Sequence, residues 1–287
     1  MALFGKKGPC VPVIPLGGLI LSAALPARRG GFHLASLARV LDRAFTMRRA
    51  KAVAIVINSP GGSPVQSALI ASRIRDLARK NDLAVLSFVE DIAASGGYWL
   101  ACAGDQIIAN GASVVGSIGV ISAGFGFDKA IAKLGIDRRV YTAGDRKGIL
   151  DPFRPEDSQD IAHLKTMQAD IHDQFIAAVK KRRGTKLKTD QADLFSGAFW
   201  TGRKAVELGL VDKLGELRPI LQEQFGKDVE IKMMHPKRSL FGFLSGGSVG
   251  DNIGAGEANL ATAGMDAVLD SLLLRLEARL QLMRYGL

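Results

Sequence analysis

The sequence predicts an α/β protein built around a largely parallel sheet, and three observations favour this fold class. Strand-like and helix-like segments alternate along most of the 287 residues, as βαβ units require. The segment AVAIVI at residues 52–57 is apolar without interruption, which is typical of a strand covered on both faces. With 47% hydrophobic residues and 33 glycines, the composition is that of a globular chain with a sizeable core.

The amino-terminal half contributes most of the predicted strands. Residues 11–21 are rich in β-branched side chains and predict a strand, and residues 34–48 predict an amphipathic helix whose apolar positions recur at helical spacing. The elements that follow are a strand at 52–57, a helix at 65–79, a strand at 83–89, a turn at 91–95, a short helix at 96–103 and a strand at 106–109.

Shorter elements and one long helix make up the carboxyl-terminal half. Pro155 and Gly184 bracket a helical stretch at 156–183, as start and stop signals do. The other expected elements are strands at 119–122, 139–142, 210–212 and 229–233 and helices at 201–208 and 216–225. Residues 1–235 are therefore interpreted as one domain, 236–264 as a Gly/Ser-rich linker and 265–287 as an amphipathic C-terminal helix.

The charge distribution limits the kinds of partner that the chain is expected to bind. The net charge is +10, and the first 51 residues hold nine basic residues against a single acidic one, Asp42. A solvated basic face explains this surplus, with an anionic membrane surface or an acidic partner as the alternative. Nucleic acid is not expected as a partner, because aromatic residues make up 6% of the chain and do not interleave with the basic ones.

The apolar stretch at residues 11–25 is the candidate for a membrane-spanning helix. Pro12, Pro15 and the Gly17-Gly18 pair interrupt it, and it is shorter than the roughly 20 residues a spanning helix needs. No transmembrane helix is therefore expected, and any membrane contact would be peripheral. Cys10 and Cys102 show neither a disulfide framework nor metal-ligand spacing, so no metal is expected.

Two glycine-rich turns follow apolar strands and contain the candidate chemistry. One is Ser59-Pro60-Gly61-Gly62, and the other contains Ser95 within Ala-Ala-Ser-Gly-Gly-Tyr. Where such a turn opens a helix, its free N–H groups favour developing negative charge. Gly62 and Gly96 are therefore candidate donors of an oxyanion hole, and Ser95 is a candidate nucleophile.

A serine hydroxyl needs a base to accept its proton. None of the four histidines lies near Ser95 in the sequence or has a local context typical of a base; they are His33, His163, His172 and His235. A buried lysine is the expected base rather than an imidazole. Tyr98 and Trp99 are interpreted as packing behind the nucleophile turn, and His163 and His172 as surface or interface residues on the long helix.

The ordered motifs from about residue 11 to residue 231 resemble those of the S49 serine peptidases, the signal peptide peptidase A and SohB-like group. Four segments carry the resemblance: the Ser59–Gly62 turn, the Ser95 turn, Gly-Ser-Ile-Gly-Val at 116–120, and Lys147 followed by Asp-Pro-Phe at 151–153. The resemblance implies a ClpP/crotonase-like fold, a repeated ββα superhelix with a parallel sheet, and a ring-like homo-oligomer of four or eight subunits.

The resemblance also implies roles for individual residues. Ser95 corresponds to the nucleophile and Lys147 to the general base of a Ser–Lys dyad, with Ser117 hydrogen-bonded to the lysine amine and Gly62 donating to the oxyanion. In this family serine and lysine can come from neighbouring subunits. Without the resemblance, a lysine in Gly-Asp-Arg-Lys-Gly is interpreted as a solvated loop charge.

These observations predict a serine endopeptidase that cleaves short, unfolded or apolar peptides, signal-peptide remnants among them, without a cofactor. A crotonase-like acyl-CoA hydratase or isomerase is an alternative on the same fold, and a catalytically silent peptide-binding scaffold at the membrane is a second. The expected location is the bacterial cytoplasm or the inner-membrane surface. The C-terminal helix serves either assembly or surface anchoring in this interpretation.

Overall fold

Strands and helices alternate along the part of the chain described by the computed structural model, residues 8–23, 31–144, 146–188 and 192–235 together with Met283 and Tyr285. The strands are β1 (Cys10–Gly17), β2 (Leu19–Ile20), β3 (Gly31–Phe32), β4 (Ala52–Ser59), β5 (Ala84–Ala94), β6 (Gln106–Ala109), β7 (Val114–Gly116), β8 (Phe199–Thr201), β9 (Lys213–Leu214) and β10 (Glu230–Met233). The α-helices are α1 (Leu34–Phe45), α2 (Pro64–Asn81), α3 (Gly96–Ala101), α4 (Asp128–Lys133), α5 (Ser158–Arg183), α6 (Gly202–Glu207) and α7 (Leu217–Phe225).

Eight of the strands form one sheet in the order β10-β1-β4-β5-β6-β9, with β7 beside the end of β5 and β8 beside β7. Every pairing in the sheet is parallel except that between β7 and β8. Because parallel neighbours need long crossovers, helices separate the strands in sequence and cover the sheet. The α/β class and the largely parallel sheet predicted from the sequence are confirmed.

Helices cover both faces of the sheet, which explains the uninterrupted apolar sequence of β4. Val53, Ile55 and Ile57 face a core shared with α1, α2, α3 and α5. The alternate residues of the same strand, among them Ala54 and Val56, pack with α7 on the other face. Successive side chains of β4 therefore point to opposite faces of the sheet, as in any strand. Because both faces are covered by apolar residues, this alternation does not appear in the hydropathy of the sequence.

A second, two-stranded sheet stands at the carboxyl ends of the central strands. The chain turns at Gly18 (φ 88°) after β1, and β2 then pairs in parallel with β3. Ile20 of β2 donates its N–H to Gly61 O at 2.8 Å, and its carbonyl accepts the N–H of Ser63 at 2.8 Å. These two bonds fix the glycine turn that follows β4.

Several predicted elements differ from the observed ones. The strands expected at 119–122 and 139–142 are absent there, and the one expected at 210–212 is displaced to β9. β5 continues to Ala94, so the residues 91–94 expected in a turn are extended because they pair with β4 and β7. The linker at 236–264 lies outside the described residues, as does the C-terminal helix except for Met283 and Tyr285.

Candidate active site

Ser95 lies between β5 and α3 in a backbone conformation that few residues with side chains adopt, with φ 51° and ψ −123°. Its N–H donates to Gly116 O at 2.8 Å, and its carbonyl accepts the N–H groups of Tyr98 and Trp99. A serine at the N-cap of a helix ordinarily uses its hydroxyl to accept an N–H of the first turn. The half-buried Ser95 side chain makes no such bond, which leaves its hydroxyl available for another role.

The glycine turn after β4 contacts the Ser95 turn directly. A Cβ atom added at Gly61 would lie 2.9 Å from the Gly96 nitrogen and 2.9 Å from Ser95 Cβ. At Gly97, an added Cβ would lie 2.3 Å from Ser59 O. These contacts leave room only for hydrogen at both positions, so the glycines are required by the close approach of the two turns.

The two predicted oxyanion donors, Gly62 and Gly96, occupy these adjacent turns. Gly96 is the first residue of α3, so its N–H has no acceptor within the helix. The neighbouring N–H of Gly61 donates to Ser59 Oγ at 3.2 Å, whereas the described residues provide no acceptor for the N–H of Gly62. Among the described residues, the N–H groups of Gly62 and Gly96 in these two turns are therefore without an acceptor.

Ser117 is held beside the same turn by a second strained backbone position, with φ 53°. It follows Gly116, whose carbonyl accepts the Ser95 N–H, and its own N–H donates to Ala198 O at 2.7 Å. Its hydroxyl accepts a hydrogen bond from the Tyr285 hydroxyl at 3.1 Å. Ser95 is thus hydrogen-bonded to the residue that directly precedes Ser117.

Among the described residues, the structure shows no contact between Lys147 and Ser95 of the same chain. The side chain of Lys147 is exposed, and its backbone N–H donates to Gly144 O at 3.1 Å. Local hydrogen bonds hold the chain near Lys147 instead. Asp151 accepts one from the Phe153 N–H and one from Arg138 Nε, each at 3.0 Å. The hydrogen bond from Phe153 and the charge of Arg138 hold the pKa of Asp151 below its usual value.

The residues from 121 to 150, here called the dyad segment, expose many large apolar side chains. Phe125 is 80% exposed, Leu134 73% and Tyr141 91%, and Ile121, Phe127, Ile136 and Leu150 are exposed as well. The segment also lines an open cleft of about 1010 Å³ with the start of α5, and Ser95 is not among the lining residues. So many exposed large apolar side chains in one segment indicate an interaction site.

A buried polar network supports α3 from behind, as predicted for the packing of Tyr98. Tyr98 is completely buried and donates its hydroxyl to Leu210 O at 2.8 Å. Arg183 at the end of α5 donates to Gly209 O and to both carboxylate oxygens of Asp212. Trp99 stacks on Phe175 of α5 with ring centroids 4.7 Å apart, so both aromatic residues pack as the sequence indicated.

Two polar contacts near the site were not predicted. His172 Nε2 lies 3.0 Å from Ile118 O, one residue after Ser117, and Asn58 donates its amide to Asp91 at 2.6 Å. The pairs are separated by 54 and 33 residues in the sequence, so no local pattern signals them. His172, expected at the surface or at an interface, is half-buried and contacts the backbone next to Ser117.

Neither cysteine competes with Ser95 as a nucleophile. Cys10 and Cys102 are both buried and unpaired. Burial raises the pKa of the Cys102 thiol to about 12 and also raises that of Cys10. Since the thiolate is the reactive form, both thiols are unreactive at neutral pH. None of the helices in the described residues combines the length and the hydropathy of a membrane span.

Comparisons with known proteins give one consistent family. The model of peptidase family S49 matches residues 78–230, slightly more than half of the chain. Protease 4 of Haemophilus influenzae is 30% identical over 208 residues, which cover 71% of this chain and 32% of that protein. In the solved structures, a mutant of the 1510-N membrane-bound stomatin-specific protease superposes with a TM-score of 0.52 at 17% identity, covering 80% of this chain and 99% of that one. This likeness supports the ClpP/crotonase-like fold.

A protein of Brucella abortus named Na(+)/H(+) antiporter NhaA is 49% identical over 278 residues, or 96% of this chain. The chain spans 37% of the length of that protein and 32% of Protease 4. The antiporter name therefore describes a protein of which most lies outside the match.

Proposed function

Because the chain belongs to peptidase family S49, we propose that it is a serine endopeptidase in which Ser95 is the nucleophile and Lys147 the general base. The observation that carries the proposal is the Ser95 turn. There a serine with a strained backbone stands at the start of a helix, and its hydroxyl does not cap that helix. A serine nucleophile on a sharp strand-to-helix turn is a recurring feature of acyl-transfer enzymes.

The proposed reaction uses the two glycine turns and the dyad in sequence. Ser95 Oγ attacks the carbonyl carbon of the scissile peptide bond while its proton moves to Lys147 Nζ. The N–H groups of Gly62 and Gly96 donate to the resulting oxyanion, and each such donor contributes about 3–4 kcal/mol to the stability of the transition state. The C–N bond then breaks, and the leaving amine takes the proton from Lys147.

Water completes the cycle. It attacks the acyl-Ser95 ester, giving its proton to the Lys147 amine, and the carboxyl product leaves as Ser95 Oγ regains a proton. Ser117 orients the lysine amine in this scheme, since its hydroxyl offers both a donor and acceptors next to the Ser95 turn. No metal or cofactor takes part in any step.

We propose further that Lys147 acts on the Ser95 of a neighbouring subunit. Lys147 is exposed and lies in the dyad segment, whose apolar side chains are uncovered in the single chain. Packing of this segment against a second copy buries that surface, and burial favours the neutral amine that a general base requires. Assembly into a closed ring of four or eight subunits thus completes each site.

Substrate and location follow from the same proposal. An active site completed between subunits, within a ring, suits short or unfolded peptides rather than folded proteins, and we propose that apolar peptides such as signal-peptide remnants are among them. We propose a cytoplasmic or membrane-peripheral location, with the basic first 51 residues as the surface that meets anionic lipid.

A mixing experiment tests the dyad and its division between subunits together. Ser95→Ala and Lys147→Ala are each expected to abolish peptide hydrolysis and labelling by a fluorophosphonate probe. When the two variants are mixed and reassembled, about a quarter of the sites should combine an intact Ser95 with an intact Lys147, if subunits associate at random.

Lys133→Ala is the matched control, because Lys133 is another exposed lysine of the dyad segment and has no role in the proposed reaction. It should label like the wild type. Recovery of activity in the mixture supports the shared site. Labelling of Ser95→Ala at the wild-type rate would refute the nucleophile, and an unaffected Lys147→Ala would refute the base.

A further inference from the structure

His172 on α5 contacts the backbone of the candidate active site, although the proposed reaction gives it no role. Its side chain is half-buried, and its Nε2 lies 3.0 Å from Ile118 O. A carbonyl oxygen accepts hydrogen bonds and cannot donate one, so Nε2 must carry the proton of this contact. The imidazole therefore acts here as a donor, and the same nitrogen is not free to take a proton from Ser95.

The contact belongs to the face of α5 that packs against the site. His172, Phe175 and Val179 follow one another at helical spacing, and Phe175 and Val179 are buried. Phe175 stacks on Trp99 of α3, with ring centroids 4.7 Å apart. The imidazole is therefore carried by a packed helix rather than by a loop, so its position relative to the site is fixed by the core.

Three consecutive residues beside the nucleophile are each bonded to a different part of the fold. Gly116 O accepts the N–H of the nucleophile at 2.8 Å, and the Ser117 N–H donates to Ala198 O at 2.7 Å. Ile118 adds its carbonyl bond to His172, and its side chain is completely buried. Ser117 lies between these anchors with φ 53°, and such a strained conformation persists only where the surroundings fix the backbone at several points.

Ile118 is also the last anchored residue before the dyad segment. Ile118 is completely buried, whereas Ile121 is 67% exposed. Among the described residues, the next backbone hydrogen bond along the chain joins the Phe127 N–H to Pro152 O, at the exposed cleft. The bond to His172 therefore lies where the chain leaves the packed sheet on its way to Lys147.

We propose that His172 is a positioning residue for the Ser–Lys dyad. Its Nε2–H holds the Ile118 carbonyl and thereby keeps the Ser117 hydroxyl where it orients the lysine amine. This inference rests on the proposed function, in which Ser117 has that role. If the donor is removed, the Ile118 carbonyl is buried without a partner, which costs free energy, and the strained Ser117 backbone can relax to an ordinary conformation. A displacement of about 1 Å in a reacting group costs on the order of 100-fold in rate.

Two substitutions distinguish a hydrogen-bond donor from a proton acceptor at this position. His172→Gln keeps an N–H donor at the end of a side chain of similar reach but cannot take a proton, whereas His172→Leu has no donor. With an apolar peptide substrate, His172→Leu should lower kcat by about 10- to 100-fold and change KM by less than about twofold, because the dyad geometry changes and the substrate contacts do not. His172→Gln should keep kcat within about threefold of the wild type.

His163→Leu and His163→Gln are the matched controls, because His163 is an exposed histidine of the same helix. Both should have the wild-type kcat. The positioning role is overturned if His172→Leu also has the wild-type kcat. Equal losses in His172→Gln and His172→Leu overturn it as well, since a retained donor would then make no difference. A loss in His172→Leu that matches its unfolded fraction, measured by urea unfolding, shows a purely structural role and has the same consequence.

The hydrogen bond is tested without any measurement of activity. The chain contains four histidines, so ¹⁵N spectra of the imidazole rings give four sets of resonances that His→Gln variants assign. At alkaline pH, His172 should carry its proton on Nε2, and that proton should exchange with solvent more slowly than the ring proton of exposed His163. A proton on Nδ1 of His172 instead would overturn the inference. This measurement uses the unsubstituted fold, so it decides even if His172→Leu does not fold.

The two proposals fail in different ways. If the wild type neither hydrolyses peptides nor labels at Ser95 while His172 is protonated on Nε2, the serine peptidase assignment is wrong and, with it, the positioning role, but the hydrogen bond stands. If hydrolysis requires Ser95 and Lys147 but His172→Leu has the wild-type kcat, the peptidase stands and the positioning role is refuted.

Discussion

Gly61→Ala is the substitution that most directly tests the contact between the two glycine turns. Gly61 has φ 109°, and an alanine Cβ there would lie 2.9 Å from both the Gly96 nitrogen and Ser95 Cβ. A side chain at such a φ costs about 1–3 kcal/mol, and crowding of a packed turn adds about 1–3 kcal/mol more. The free energy of unfolding is therefore expected to fall by about 2–6 kcal/mol.

Gly226→Ala separates the two contributions. Gly226 has φ 92° at the end of α7, and nothing lies within 4 Å of an added Cβ. This variant should lose about 1–3 kcal/mol through the backbone alone. Urea unfolding at an unchanged m-value measures both losses.

The second readout is the rate at which a fluorophosphonate labels Ser95 in each folded variant. Displacement of a nucleophile turn by about 1 Å costs on the order of 100-fold in rate. Gly61→Ala should therefore label at least tenfold more slowly per folded molecule, while Gly226→Ala labels like the wild type. The contact between the Gly61 turn and the Ser95 turn would be refuted if folded Gly61→Ala protein labelled like the wild type. It would also be refuted if Gly61→Ala and Gly226→Ala lost equal stability.

Three further outcomes are expected from the network behind α3. Arg183→Met leaves the partly buried Asp212 with Lys186 as its remaining cation, so urea unfolding should show a loss of about 3 kcal/mol, whereas no loss would contradict the role of the pair. Asp105, which follows α3, accepts the Val85 N–H and pairs with Arg75 and Arg182. Burial opposes ionisation of Asp105 and Asp212, but hydrogen bonds from backbone N–H groups and cationic side chains lower the pKa of both carboxyls. Their stabilisation is therefore complete above the unfolded pKa near 4 and is lost as the pH falls through the lower folded pKa values, and a titration of stability between about pH 5 and 2 checks this sign. Tyr98→Phe leaves a carbonyl unpaired in the core and should cost about 1–3 kcal/mol by thermal or urea unfolding, and an unchanged midpoint would count against the bond.

Elements whose pattern is complete in the local sequence were predicted well. α1 buries Leu37, Val40, Leu41 and Ala44, the residues whose spacing indicated the helix, and β6 has the predicted bounds. The uninterrupted apolar run of β4 predicted a strand covered on both faces, and the two core clusters confirm this. In each case hydrophobic burial decides the element, and the sequence records it directly.

Elements that depend on a distant partner were not predicted. β7 and β8 are three-residue strands separated by more than 80 residues, and they exist because β7 pairs with β5 and β8 pairs with β7. The β-branched stretch at 119–122 has no such partner and remains irregular. Strand formation there is set by available hydrogen-bonding edges rather than by propensity.

The candidate site likewise has parts that the local sequence predicts and parts that depend on distant residues. Glycine and serine at the ends of β4 and β5 indicated the two turns, because parallel strands end at one edge of the sheet. The contacts of Ser117 with Tyr285 and of Ile118 with His172 join residues far apart in sequence, so no spacing signals them. The position of Lys147 relative to Ser95 depends on a second copy in our proposal, and one sequence does not record the arrangement of two.

The uncapped helix start at Ser95 has an evolutionary consequence. Its φ of 51° and ψ of −123° belong to a region in which glycine is the ordinary residue. A glycine there would relieve the strain, so drift under selection for thermal robustness alone would favour losing the hydroxyl. A serine at this position therefore means that the chain carries a cost of about 1–3 kcal/mol in folding free energy that a glycine would remove.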